Sequence, residues 1–161
     1  MRRHWRMNKL TTSLDFMMAN LEVRNHCELF SVICEKAVEK GFILSGFCGD
    51  LIEREKIYPT GLETVIPIAI PHVGTNCVQS FFSLATLKDP IEFNNMADPD
   101  ETLSVKIVFL FGIVDPSEQV HILRKISEIF QKKEILEAIS AAEKDMDLMD
   151  IMKKELEDLI A

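Results

Sequence analysis

His72 closes the run Pro67, Ile68, Ala69, Ile70, Pro71, where an apolar stretch ends in a proline and hands an imidazole to a loop. A neutral imidazole is a nucleophile, a general base or a metal ligand, and its charge changes near physiological pH. Two more residues could share such work. Arg54 precedes the turn Pro59, Thr60, Gly61, and a half-buried guanidinium there would grip an anion bidentately. A plain surface pair between Arg54 and an acidic neighbour fits the same spacing. Glu55 falls in the apolar sector of its helix, beside a stripe of Phe47, Leu51 and Tyr58, and would be costly there without a partner. His121 lies about two turns into a helix opened by Asp115, near the end where the macrodipole and free amides favour an anion. It points away from the apolar side formed by Ile122, Leu123, Ile126, Ile129 and Phe130. An ordinary exposed histidine would look the same.

Other chemistry lacks parts. His4 sits in a basic tail and His26 in the first turn of a capped helix, and both read as bystanders. Two candidate histidines without a nearby carboxylate or thiol set do not make a metal site. There is no G-x-S-x-G elbow, phosphate-binding glycine loop or H-E-x-x-H pair. Ser80, Ser83 and Ser104 have no evident base. Hydrolase and nucleotide-dependent kinase readings therefore fail, and no cofactor or metal is expected.

The elements that must hold these residues are legible from periodicity. Asn25 to Lys40 repeats apolar residues at helical spacing, with Asn25 and Glu28 as a capping box and Gly41 as the stop. A second helix spans about Phe47 to Lys56. Val65 to Ile70 and Ser80 to Leu87 are apolar runs, the latter with strand character. Ser104 to Val114 is the strongest strand, apolar on both faces, so it belongs in the middle of a covered sheet. Asp115, Pro116 and Glu118 open a helix to about Gln131, and shorter helices follow at 133–143 and 146–159. The expectation is an α/β domain: a small mixed β-sheet flanked by helices on both faces.

The 161 residues suit one domain over 10–161, with 1–9 a frayed tail. No apolar run reaches the roughly 18 residues a membrane span needs, and no secretory signal is evident. A net charge of −8 without a basic stripe disfavours nucleic acid and suits a basic protein partner. Cys27, Cys34, Cys48 and Cys77 form no C-x-x-C pair, and Cys27 and Cys34 share a helical face. Disulfides in a secreted protein are conceivable, but buried thiols in a reducing cytoplasm fit the spacing better.

Three stretches carry a resemblance: Arg54, Glu55, Lys56, Ile57, Tyr58, Pro59, Thr60, Gly61, Leu62; then Ile68, Ala69, Ile70, Pro71, His72; then Pro90, Ile91, Glu92, Phe93. With the strand at 105–114 and the run Val120, His121, Ile122, Leu123, they resemble a IIA component of the phosphoenolpyruvate-dependent sugar phosphotransferase system. The class is fructose/mannitol, and the R-E-x-x-x-P-T-G-L spacing is most similar to the galactitol-type branch. Pro67 stands where the family commonly has glycine. The resemblance implies that His72 is the phosphoryl acceptor, with Arg54 and a second active-site histidine, His121, beside it, and with Glu55, Thr60 and Gly61 in support. It implies HPr as donor and a cysteine of a IIB component as acceptor, IIB linking the protein to a membrane IIC. A regulatory domain of the same fold, whose phosphorylation state a partner reads, fits the same residues. An apolar rim near His72, with Ile70 and Val73, would dock these partners.

Overall fold

A computed structural model of the protein describes residues 10–160; the tail expected at 1–9, with His4, lies outside the described residues. The centre is an antiparallel pair: β5 (Phe81–Asn94) against β6 (Thr102–Gly112), with Phe82 opposite Phe111 and Leu84 opposite Phe109. Around it stand β1 (Met17–Leu21), β2 (Gly61–Leu62), β3 (Ile68–Ala69) and β4 (His72–Val73). The order is β1-β5-β6-β3-β2, and β4 also pairs with β6. Since β1 runs parallel to β5, and β3 and β4 parallel to β6, the sheet is mixed, as expected.

Helices cover both faces. On one side α1 (His26–Glu39) and α2 (Phe47–Ile57) pack Leu29, Phe30, Ile33, Phe47 and Leu51 onto Phe81, Val108 and Leu110. On the other, α3 (Pro116–Phe130), α4 (Lys133–Ala141) and α5 (Asp145–Glu155) cover Phe82, Ile107, Phe109 and Phe111. From Ile107 to Phe111 the side chains alternate between the two cores, which is why this stretch is apolar throughout. Asn25 Oδ1 accepts the Glu28 N–H at 2.9 Å, while the Glu28 carboxylate pairs with Arg24 rather than completing the box. Asp115 Oδ1 accepts the Ser117 N–H at 2.9 Å. Among the described residues no helix is long and apolar enough to cross a membrane.

Several expectations change. The strand from Ser80 does not stop near Leu87; it continues to Asn94, and its register shifts between Thr86 and Ile91. Pro90 sits in that irregularity, where a missing N–H removes no ladder bond. β1 has only five residues and gave no clear alternation. The apolar run at 65–70 yields the two residues of β3, with Val65 exposed. Tyr58 leaves the stripe of α2 because the helix ends there, with φ −125° and ψ 79°, and the residue is 63% exposed. The buried stripe is Phe47, Leu51, Glu55. All four cysteines are free, but only Cys34 is buried; Cys27 is exposed because it lies in the first turn of α1, ahead of that helix's buried residues.

Two features aim the chain at His72. Pro71 interrupts the line of β3 and β4, which pair with the same strand β6 on either side of the break. Gly61 lies so close beneath Asn94 that a Cβ would come within 2.5 Å of its carbonyl oxygen. Gly61→Ala is therefore expected to cost about 1–3 kcal/mol through backbone displacement. Gly49→Ala, on the exposed side of α2 with nothing near its Cβ, is expected to add about 0.5 kcal/mol through helix propensity. Urea unfolding of the two variants checks both signs.

Candidate functional site

His72 is the first residue of β4, opposite Phe111 in register and 6% exposed. Its ring lies parallel to that of Phe111, 4.9 Å between centroids and 2° between planes. Such a stack contributes about 0.5–1.5 kcal/mol beyond area burial and fixes the ring plane. Nδ1 is 2.7 Å from the Ile70 carbonyl oxygen. A carbonyl only accepts, so Nδ1 carries the proton and Nε2 holds the lone pair. Nε2 faces the side-chain nitrogen of Gln119 at 3.1 Å, and the amide must donate there. Burial pulls the His72 pKa below the usual 6.5; the Ile70 bond works against this and the charge of Arg54 adds to it. The ring is thus neutral at physiological pH, with an oriented nucleophilic nitrogen.

Behind the ring runs a chain of hydrogen bonds that begins on α2. Glu55 Oε1 accepts the Thr60 N–H at 2.9 Å, and its oxygens take the Thr60 hydroxyl at 3.1 and 2.9 Å. The Thr60 carbonyl accepts the Ile70 N–H at 3.3 Å, and the Ile70 carbonyl accepts His72 Nδ1–H. Glu55 therefore has the partner its apolar position demands. Burial still lifts its pKa to about 7, against the Thr60 bonds and the Arg54 charge. Gly61, next along, pairs with Ala69.

Arg54 does not pair with Glu55. Its guanidinium carbon lies 5.5 Å from the Tyr58 ring centroid, and its Nε is buried with no hydrogen-bond partner. No ion pair of Arg54 occurs among the described residues, so its charge, felt at both His72 and Glu55, is left for an incoming anion. The loop beyond His72 is tied to the start of α2, where Asp50 Oδ2 accepts the Thr75 hydroxyl at 2.6 Å and the Asn76 amide at 2.7 Å. Asn76 holds a left-handed φ of 57°, which asparagine tolerates better than most residues.

The structure thus gathers His72, Arg54, Glu55, Thr60 and Gly61. It does not bring His121 to the ring. His121 is exposed on α3, with no hydrogen bond among the described residues, and Gln119 stands at Nε2 instead. Two helical positions are about 200° apart on the helix circumference, so His121 and Gln119 cannot share a face. Residue type pointed to the histidine; nothing in the spacing marked the glutamine, or Phe111 and Asp50. The expected rim of Ile70 and Val73 is buried, at 4% and 9% exposure, because both side chains join the sheet cores. Exposed apolar residues on the segments around the site include Tyr58, Val65, Val78, Val114 and Val120. His26 lies 5.5 Å from both Phe30 and Phe93, a packing position. Ser80 Oγ accepts the Val114 N–H.

Comparison with known proteins places this geometry. Residues 11–155 match the family described as phosphoenolpyruvate-dependent sugar phosphotransferase system, EIIA 2. The Escherichia coli mannitol enzyme IIA, solved in complex with phosphorylated enzyme IIB, superposes with a TM-score of 0.73 at 14% identity, over 90% of this chain and 99% of that one. The nitrogen regulatory protein IIA-Ntr of Neisseria meningitidis gives 0.71 at 23% identity, over 89% and 96%. A stretch of 108 residues, 66% of this chain, is 29% identical to the transcriptional regulator ManR of Bacillus subtilis strain 168. This chain spans only 15% of that regulator's length. The protein belongs to the EIIA 2 family of the phosphoenolpyruvate-dependent sugar phosphotransferase system, whose domains transfer phosphoryl groups.

Proposed function

We propose that the protein is a phosphocarrier in which His72 accepts a phosphoryl group from a phosphohistidine of HPr and passes it to a cysteine of a IIB component. The observation that carries this is the state of His72: buried and neutral, with Nδ1 committed to Ile70 and Nε2 presented to a neutral amide. In the transfer, the Nε2 lone pair forms a bond to phosphorus as the donor's N–P bond breaks. The His72 ring gains positive charge, and Nδ1 keeps its proton on the Ile70 carbonyl, whose dipole is aligned through Thr60 with Glu55. Arg54 takes the phosphoryl oxygens. Positioning and charge stabilisation of this kind dominate phosphoryl transfer, so neither metal nor nucleotide is required. His121 is exposed on α3, away from the ring. Exchange with HPr would place the protein in the cytoplasm.

The Arg54 to Leu62 spacing favours galactitol or a related polyol as the sugar whose uptake this phosphate drives. The likeness to ManR favours a second reading, a domain whose phosphorylation controls a partner protein. An acceptor test separates the two. Under the transport reading, one IIB protein removes the phosphate from this chain within the time of a transport cycle. Under the regulatory reading, none does, and the phosphorylated form binds a different partner.

Incubation with phosphoenolpyruvate, enzyme I and HPr is expected to add one acid-labile, base-stable phosphate, detected by mass, and His72→Ala is expected to abolish it. Persistence of the label in that variant would remove His72 from the chemistry. Arg54→Ala should slow labelling about a hundredfold, the usual scale for loss of a preorganised charge donor, while its circular dichroism and melting stay those of the parent. An unchanged rate would leave Arg54 outside the site.

A further inference from the structure

Phosphotransfer at His72 leaves one contact unused: the amide of Gln119 on the nitrogen that must attack. The Nδ1 proton is held by Ile70 at 2.7 Å, the ring plane by Phe111, and the free lone pair meets the Gln119 nitrogen at 3.1 Å. Gln119 lies in the first turns of α3, whose N-terminus is capped by Asp115 and stiffened by Pro116. We infer that Gln119 is a catalytic residue, whose neutral amide holds His72 Nε2 for attack and then donates the same N–H to the phosphoryl group. The inference rests on His72 as the phosphoryl acceptor.

The chemistry favours an amide over a charged group at this place. A carboxylate would accept from Nε2–H, stabilise the imidazolium and repel the phosphate. A cation would raise the cost of the positive charge the ring develops. An amide donates to the lone pair without lowering its basicity much, since a neutral hydrogen bond contributes only about 0.5–1.5 kcal/mol net. That contact is weak enough to release as the N–P bond forms. The N–H then lies beside oxygens carrying negative charge, where a charge-assisted bond is about twice as strong. Gln119 thus stabilises the charge on the phosphoryl oxygens in the transition state more than it stabilises the resting lone pair, as catalysis requires. His121, turned to solvent on the same helix, cannot make this contact without rotation of α3.

Three variants test it, with folding checked by melting. Gln119→Leu, which keeps bulk and removes the donor, should slow labelling of His72 from phospho-HPr by about tenfold to a hundredfold, and by more than His121→Ala does. Gln119→Glu, of equal shape, should raise the His72 pKa, followed by NMR titration of the ring, and slow labelling at neutral pH. Wild-type rates in Gln119→Leu, or a larger loss in His121→Ala, would overturn the inference. So would an unshifted His72 titration in Gln119→Glu. The titration needs no phosphoryl donor. If the wild type takes no label, the phosphocarrier reading fails while the Gln119 contact is still decided by the titration.

Discussion

The hydrogen bond from His72 Nδ1 to the carbonyl of Ile70 is the constraint on which the site depends. It spans only two residues, and Pro71 between them makes it possible by breaking the strand between β3 and β4. With that bond made, the ring has one tautomer, one orientation and one free nitrogen. Burial alone would leave the imidazole neutral but undirected. The bond alone, in water, would be too weak to hold a tautomer. Their combination on the flat surface of Phe111 defines the nucleophile.

The helix α2 braces this arrangement from both sides. Its first turns hold the loop after His72 through Asp50, and its last turn holds the segment before it through Glu55 and Thr60. Adjacent residues on it therefore do opposite work. Glu55 turns inward and is consumed in structure. Arg54, 100° round the helix, keeps its charge unpaired beside the ring. An Arg54–Glu55 pair would have left no free cation beside the ring. The separation of these two roles gives the site both rigidity and an available cation.

Much of this was legible in the residues. Periodicity marked α1, α2, α3 and the buried strand β6, because those segments are long and their apolar faces continuous. The Pro71-His72 junction and the Arg54 to Gly61 run announced the site by type and spacing. Short or irregular pieces were not legible: β1 is an edge strand of five residues, and β5 passes through Pro90 at a register shift. Gln119 escaped because an amide on a helix has no signature. Its role comes from where α3 meets β4, a tertiary fact. Ile70 and Val73 form no rim for the same reason: a strand buried on both faces leaves no apolar residue for one.

The central claim is that Nε2 of His72 is the reacting atom, because Nδ1 is already committed. NMR of the protein labelled with nitrogen-15 in histidine, before and after phosphorylation, tests this most directly. The account predicts that His72 carries its proton on Nδ1 in the unmodified protein, and that nitrogen–phosphorus coupling then appears at Nε2 with the Nδ1 proton retained. Coupling at Nδ1, or an unmodified ring protonated at Nε2, would contradict it.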